Sequence, residues 1–262
     1  MIDAHTHTKF SFDGKSSAVD MAERGKELGL EYMAFTDHCD RDYAHIWRYK
    51  IVRQLNVKKY VAAIKEMKEK YPFLALGIEC GYSELAEDDY LKMIPFSEMD
   101  YILNSVHTVD GLDCYTASYF SGREKKDAYG KYLHKVLKSL DAKYPFDTVT
   151  HIGFVRKNAP YADASMPLAE YIDVIDEILK KIIDKGKTLE VNSNIKYKDF
   201  MPTAEILKRY YELGGRSITF ASDAHLTARV GELYDVASET VKDIGFRYWT
   251  VYRERKPLHI EI

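Results

Sequence analysis

The sequence carries imidazole and carboxylate side chains in short clusters near both of its ends. The run Asp3-Ala4-His5-Thr6-His7 opens the chain, Asp13 follows soon after, and the run Asp223-Ala224-His225 repeats the pattern late in the sequence. Two histidines in alternate positions of a strand point to the same face, and near the strand end, where the backbone turns, both can reach one cation. Imidazole nitrogens and carboxylate oxygens bind zinc, iron and manganese. These runs therefore predict metal chemistry.

Further candidate ligands follow predicted strands in the middle of the chain. Six of the nine histidines fall where a predicted strand stops, and Glu79 interrupts an apolar run. A single histidine of this kind is usually a hydrogen-bonded core residue, but that explanation is poor for six at once. A buried carboxylate is costly unless it is paired or bound to a cation. The predicted metal ligands are His5, His7, Asp13, His38, Glu79, His107, His151, Asp223 and His225.

The size of this ligand set predicts more than one ion. Nitrogen and oxygen ligands in this number exceed what one cation needs, so we expect two or three divalent ions with bridging carboxylates. The mixture suits zinc, iron and manganese, and the identity of the metal stays open.

The elements that must position these residues form an alternating pattern. Strands and helices alternate about seven times, which favours parallel strands joined by crossover helices. Because ligands end nearly every strand, and such ends meet in a ring only when the sheet closes, a barrel is preferred over an open sheet. The predicted strands are Ile2–His5, Leu30–Thr36, Leu74–Ile78, Asp100–Val106, Phe146–Thr150, Thr188–Val191 and Ser217–Ala221, with a last strand-like piece at Phe246–Tyr252. The predicted helices are Ala18–Leu28, Val57–Tyr71, Ala86–Ile94, Arg123–Leu140, Leu168–Asp184, Thr203–Leu213 and Arg229–Val241. The stretches Cys39–Gln54 and Gly111–Gly122 are predicted as long loops.

Composition limits the class of protein. With 262 residues, 46% of them hydrophobic, and no linker-like tract, residues 1–262 are predicted to form one domain. A net charge of −3 does not suggest a nucleic-acid surface. Three widely spaced cysteines (Cys39, Cys80 and Cys114) do not indicate a disulfide framework, which favours the cytoplasm. The sequence shows neither a cationic-then-apolar leader nor an apolar run of about 18 residues, so it predicts neither secretion nor membrane insertion. Oligomeric state stays open.

At this point the motifs resemble those of the PHP (polymerase and histidinol phosphatase) superfamily, across nearly the whole chain. The resemblance implies an α/β fold, a distorted (β/α)7 TIM-like barrel with a trinuclear metal site. It implies a first ion held by His5, His7, Glu79 and Asp223. It implies a second ion held by Glu79, His107 and His151, and a third held by Asp13, His38 and His225.

Within the superfamily, the chain most resembles monofunctional histidinol-phosphate phosphatases. The run His151-Ile152-Gly153-Phe154-Val155-Arg156 resembles their fifth-strand loop, in which the arginine contacts the substrate phosphate. A second arginine usual after the sixth strand is missing here, and Lys196 stands nearby. Lysine is a point charge rather than a bidentate fork. Arg156, Lys196 and His45 are the predicted substrate-binding residues, and Asp3 and Asp37 are expected to orient imidazoles.

The reaction that this resemblance implies is hydrolysis of a phosphate monoester by a hydroxide that bridges two ions. The first-choice substrate is L-histidinol phosphate, an intermediate of histidine biosynthesis, which makes the protein a phosphoric monoester hydrolase. Glu79, Asp223 and His225 are the predicted catalytic residues. Two alternatives stay open: a phosphoesterase acting on nucleotides or other small phosphate esters, and a metal-stabilised barrel without turnover.

Overall fold

The computed structural model describes residues 1–46, 52–195 and 199–262. The strands in this part of the chain are β1 (Ile2–Thr6), β2 (Tyr32–Phe35), β3 (His38–Cys39), β4 (Leu74–Gly81), β5 (Tyr101–Ser105), β6 (Thr108–Val109), β7 (Leu112–Asp113), β8 (Thr148–Val149), β9 (Thr188–Asn192), β10 (Ile218–Ala221), β11 (Tyr248–Arg253) and β12 (Lys256–Glu261). The α-helices are α1 (Ala18–Glu27), α2 (Arg41–His45), α3 (Val57–Lys70), α4 (Glu87–Met93), α5 (Ala117–Phe120), α6 (Lys125–Ser139), α7 (Leu168–Asp184), α8 (Ala204–Glu212) and α9 (Tyr234–Ile244).

Seven parallel strands form a barrel in the order β1-β2-β4-β5-β8-β9-β10, and the short β3 pairs in parallel with the carboxyl end of β4. The ring closes where the ends of β1 and β10 meet. The His7 amide donates to the Ala224 carbonyl at 2.8 Å, and the Asp223 amide donates to the His5 carbonyl at 2.9 Å. The predicted distorted (β/α)7 barrel is therefore confirmed, and its closure gathers the carboxyl ends of the strands.

The strands are buried and the helices cover them. All eight residues of β4 are buried, as expected for parallel strands that face both a core and a layer of helices. Local signals fix several helix ends. Ser17 and Asp20 form a capping box at the start of α1, and α7 has the bounds that its apolar period predicts.

Three sequence predictions need correction. Helix α9 begins at Tyr234 rather than Arg229, because Gly231 and Leu233 take left-handed backbone angles that interrupt a helix. The predicted loops contain short elements, β3 and α2 in the first and β7 and α5 in the second. The strand-like piece near Phe246 is β11, which pairs with β12 in an antiparallel hairpin separate from the barrel sheet.

In the described part of the chain, none of the helices combines the length and apolar character that crossing a membrane requires. The assignment of residues 1–262 to a single domain stays a prediction.

Candidate metal centre

The predicted ligands meet at the carboxyl end of the barrel. They surround a cavity of about 450 Å³, called here the metal pocket, whose wall includes Asp13, His38, Glu79, His107, His151, Asp223 and His225. His5 and His7 are fully buried and contact this wall from within the barrel. The structure therefore brings all nine predicted ligands together, although which ion each would hold stays a prediction.

The carboxylate of Glu79 lies at the centre of the site. It is fully buried in β4, and imidazoles carried by four different strand ends approach its two oxygens. The nitrogen-to-oxygen distances are 3.3 Å from His5, 2.8 Å from His38, 3.2 Å from His107 and 2.9 Å from His151. One carboxylate oxygen faces His5 and His38, and the other faces His107 and His151, which is the arrangement of a ligand that bridges two cations.

The Asp223 carboxylate forms the other side of the centre. Its Oδ1 lies 3.2 Å from His7 Nε2 and 3.5 Å from His225 Nδ1. The Asp13 carboxylate then faces His225 Nε2 at 3.1 Å and His38 Nε2 at 3.8 Å. Asp223 takes a backbone φ of 50°, in the left-handed region that non-glycine residues rarely adopt, and this turn aims the side chain back into the barrel.

The donor set fits divalent cations. Three overlapping groups of side chains have ligand atoms within 4.8 Å of one another: His5, His7 and Glu79; His38, Glu79 and His107; and His7, His38 and His225. Four buried polar atoms of the site have no hydrogen-bond partner among the described residues: Asp13 Oδ1, His38 Nδ1, Asp40 Oδ2 and Glu79 Oε2. Such atoms are costly to bury, and a bound cation would satisfy them.

Sequence reasoning missed two carboxylates that hold these imidazoles. Glu190 accepts a hydrogen bond from His5 Nδ1 at 2.6 Å. Asp40 accepts one from His107 Nδ1 at 3.0 Å, and its other oxygen lies 3.3 Å from His38 Nδ1. Glu190 interrupts an apolar strand as Glu79 does, so the same signal would have found it.

The two aspartates expected to orient imidazoles act through hydroxyls and the backbone instead. Asp37 accepts from Ser11 Oγ at 2.7 Å, and Ser11 Oγ lies 3.1 Å from His7 Nδ1. Asp3 accepts from the Ser222 amide at 3.0 Å and from the Gly231 amide at 2.9 Å, which fixes the turn that leads to Asp223. That expectation is wrong for Asp3, and for Asp37 the contact with an imidazole is indirect.

The predicted substrate-binding residues lie away from the metal pocket or outside the described chain. Arg156 forms an ion pair with Asp199, donates to two main-chain carbonyls and lines a neighbouring cavity. His45 Nε2 contacts Asp89 at 3.0 Å. Lys196 lies outside the described residues. Lys157 lines the metal pocket instead, with its Nζ 3.3 Å from Asp223 Oδ2.

Aromatic side chains form the outer wall of the metal pocket. Phe154 packs against His107 and His151, with ring centroids 5.1 and 5.2 Å apart. Phe12, which stacks on His38, and Tyr115 remain 38% and 47% exposed at the mouth. The pocket therefore has a charged floor and a mouth suited to a flat ring.

In the metal-free site, the buried carboxylates raise the pKa of neighbouring imidazoles. Burial lowers the pKa of His38, but the carboxylates of Glu79, Asp40 and Asp13 outweigh burial and raise it to about 9. Burial likewise lowers the pKa of His5, and Glu190 and Glu79 raise it well above its ordinary value. In the metal-free protein these imidazoles therefore hold protons at neutral pH, and a cation must displace them.

We expect the apparent affinity for Mn²⁺ to rise between pH 6 and pH 8.5. A cation binds the neutral imidazole, and below the raised pKa of His38 each displaced proton changes the affinity about tenfold per pH unit. Calorimetry of metal-free protein in buffers of different ionisation enthalpy measures the released protons. The exposed His134 provides a control, since His134→Gln should leave the profile unchanged. An affinity independent of pH would contradict the assignment of His38 as a ligand.

Comparisons relate this chain to known proteins. The sequence profile described as PHP domain matches residues 3–194. A probable histidinol-phosphatase of Clostridium acetobutylicum is 31% identical over 239 residues, which cover 88% of this chain and 89% of that protein. A histidinol-phosphatase of Lactococcus lactis is 26% identical over 254 residues, which cover 94% of this chain and 91% of that protein.

A solved structure shares the fold. The crystal structure of a histidinol phosphate phosphatase from Lactococcus lactis, complexed with zinc, L-histidinol and phosphate, superposes with a TM-score of 0.87 at 23% identity and covers 98% of each chain.

Proposed function

This chain belongs to the PHP domain family, and on that premise we propose that it is a metal-dependent phosphomonoesterase that hydrolyses L-histidinol phosphate to L-histidinol and phosphate. The observation that carries the proposal is the convergence of imidazoles from four strand ends on the single buried carboxylate of Glu79, in a cavity with an aromatic mouth. Relatives named histidinol-phosphatase support the substrate, and the enzyme would act in the cytoplasm as part of histidine biosynthesis.

Two or three zinc, iron or manganese ions complete the site in this proposal. The three overlapping ligand groups support this number, and zinc in the related crystal structure supports one of these metals. Divalent cations would supply Lewis acidity, neutralise charge on the phosphoryl oxygens and lower the pKa of water toward about 7. Glu79 would hold two ions at a short separation, and Asp223 would close the first ion site.

The residues around the ions would bind the phosphate and move a proton. Lys157 places an ammonium group at the rim of the ligand set, where it can donate to a phosphoryl oxygen. His225 lies at the pocket wall between the carboxylates of Asp13 and Asp223, with nitrogen-to-oxygen distances of 3.1 and 3.5 Å. In a site that holds two ions and leaves His225 unbound, His225 is the proposed proton donor to the leaving alkoxide.

The mouth of the pocket would take the leaving group. Histidinol has a flat imidazole ring and an ammonium group, and the exposed rings of Phe12 and Tyr115 offer stacking surfaces. The Asp113 carboxylate also lines the pocket; it already accepts from Tyr43 Oη at 3.0 Å and from the Tyr115 amide at 2.7 Å, and its remaining lone pairs would accept from the ammonium group.

Replacing Lys157 with alanine is expected to raise KM for L-histidinol phosphate about tenfold to a hundredfold. Hydrogen bonds to charged groups contribute roughly 1.5–3 kcal/mol, and this ammonium group faces the metal pocket. Arg156→Ala is the comparison variant, because its guanidinium pairs with Asp199 and lines a neighbouring cavity. Steady-state kinetics of both variants measure the change in KM for L-histidinol phosphate. A large KM increase confined to Arg156→Ala would favour Arg156, the residue predicted from sequence, as the phosphate ligand.

A substrate panel tests the function. Purified protein loaded with Zn²⁺ or Mn²⁺ is offered L-histidinol phosphate, nucleoside monophosphates and p-nitrophenyl phosphate, and phosphate release is measured. We expect kcat/KM for L-histidinol phosphate to exceed the others by several orders of magnitude. Broad nucleotide turnover would favour the general phosphoesterase, and no turnover with bound metal would favour the non-catalytic barrel.

A further inference from the structure

Glu190 is a buried carboxylate that contacts two proposed metal-binding histidines at once. We propose that Glu190 is a positioning residue that holds both His5 and His151 in their metal-binding arrangement and thereby couples the first and second ion sites. This inference rests on the metal site of the proposed function but not on its substrate.

The contact with His5 fixes which ring nitrogen carries the proton. Glu190 lies in β9 and is fully buried, and its Oε1 accepts from His5 Nδ1 at 2.6 Å. Because Nδ1 donates to this carboxylate oxygen, it keeps its proton, and Nε2 is the nitrogen that can offer a lone pair to a cation. That nitrogen faces Glu79 Oε2 at 3.3 Å, inside the proposed first ion site.

The contact with His151 fixes a backbone turn. Glu190 Oε2 accepts from the His151 amide at 2.6 Å and from Asn192 Nδ2 at 3.0 Å. His151 has a φ of 23°, which is unfavourable for a residue with a side chain and must be held by its surroundings. This turn aims His151 Nε2 at Glu79 Oε1, at 2.9 Å, inside the proposed second ion site.

The two histidines therefore lie between two glutamates. Glu79 faces them from the metal pocket, and Glu190 holds them from behind through one imidazole nitrogen and one backbone amide. Since the ligands of two ions depend on the same carboxylate, a change at this position is expected to weaken both sites.

The variant Glu190→Gln tests this role at nearly constant volume. His5 Nδ1 and the His151 amide each donate to a different oxygen of Glu190. The amide of glutamine has only one accepting oxygen, so one of these two donors would face an N–H group instead. We expect the affinity of metal-free protein for Zn²⁺ to fall about 10- to 100-fold at both sites, measured by competition with a chromophoric chelator. The matched control is Asp147→Asn, which alters a buried carboxylate that pairs with Arg255 at the opposite end of neighbouring β8. It should lower thermal stability and leave Zn²⁺ affinity unchanged.

The outcomes separate this inference from the proposed function. Wild-type affinity in Glu190→Gln would overturn the role of Glu190 and leave the enzyme assignment intact. Failure of the wild type to bind Zn²⁺ would overturn the metal site itself. If Glu190→Gln does not fold, nitrogen NMR of the Zn²⁺-loaded wild type shows which ring nitrogen of His5 is protonated and which binds the metal. Protonated Nδ1 and metal-bound Nε2 in His5 support the inference, and metal at Nδ1 overturns it.

Discussion

Replacing Glu79 with glutamine is expected to lower kcat for L-histidinol phosphate by about a thousandfold or more. Burial raises the pKa of Glu79, but His38, His5 and His107 outweigh it and hold the carboxyl well below its ordinary value, so it is ionised. Glutamine keeps the shape but loses the charge and one accepting oxygen, so it cannot bridge two cations. Bound cations supply several kcal/mol of transition-state stabilisation, which corresponds to about three orders of magnitude in rate.

The control for this variant is Glu87→Gln. Glu87, the first residue of helix α4, is another buried glutamate, but it pairs with Lys143, away from the metal pocket. It should keep wild-type turnover. Steady-state kinetics, elemental analysis and circular dichroism are measured on both variants. Glu79→Gln should fold, bind fewer ions per chain and lose activity; full activity with an unchanged metal content would show that Glu79 does not bridge the ions.

The position of Glu79 could be predicted because two independent signals agree there. A carboxylate inside an apolar run indicates a buried charge that needs a partner. The histidines at other strand ends supply that partner once the sheet closes, since the carboxyl ends of parallel strands in a barrel share one face. Residue type and position relative to a strand therefore suffice to predict ligands that point into the barrel.

The residues that orient the ligands were harder to predict. Asp40 follows His38 in a stretch predicted as loop, and its contact with His107 joins residues 67 positions apart. That approach depends on Gly81, where a Cβ would come within 2.3 Å of Asp40 Oδ1. Such a contact depends on the exact separation of neighbouring backbones, which the pattern of residue types does not specify.

The residue that contacts the substrate phosphate was hard to predict for another reason. Arg156 and Lys157 are consecutive cations at the end of a 3₁₀ turn, Phe154–Arg156, with about three residues per turn. Consecutive side chains therefore point about 120° apart, so Arg156 pairs with Asp199 while Lys157 faces the metal pocket. Residue types alone do not specify which of two neighbouring cations faces the pocket, and the contact of Arg156 with the substrate phosphate stays a prediction.

Removing the metal is expected to abolish turnover and to lower the thermal stability of the fold. Asp13, Asp40, Glu79 and Asp223 share one pocket, and four buried polar atoms of the site make no hydrogen bond to the described residues. An ion that binds only the folded state at a thousand times its Kd contributes about 4 kcal/mol to the free energy of unfolding. For a chain of this size that corresponds to a Tm lower by roughly 10 °C for each ion lost.

Dialysis against a chelator, followed by calorimetry and kinetics, measures both effects. The control is the same chelator already saturated with Zn²⁺, which should change neither Tm nor turnover. Adding back Zn²⁺, Fe²⁺ or Mn²⁺ separately should restore stability with each cation that fits the ligand set, while the recovered kcat identifies the metal that supports the reaction. A metal-free protein that keeps its Tm and its activity would show that these side chains satisfy one another and that the pocket is not a metal centre.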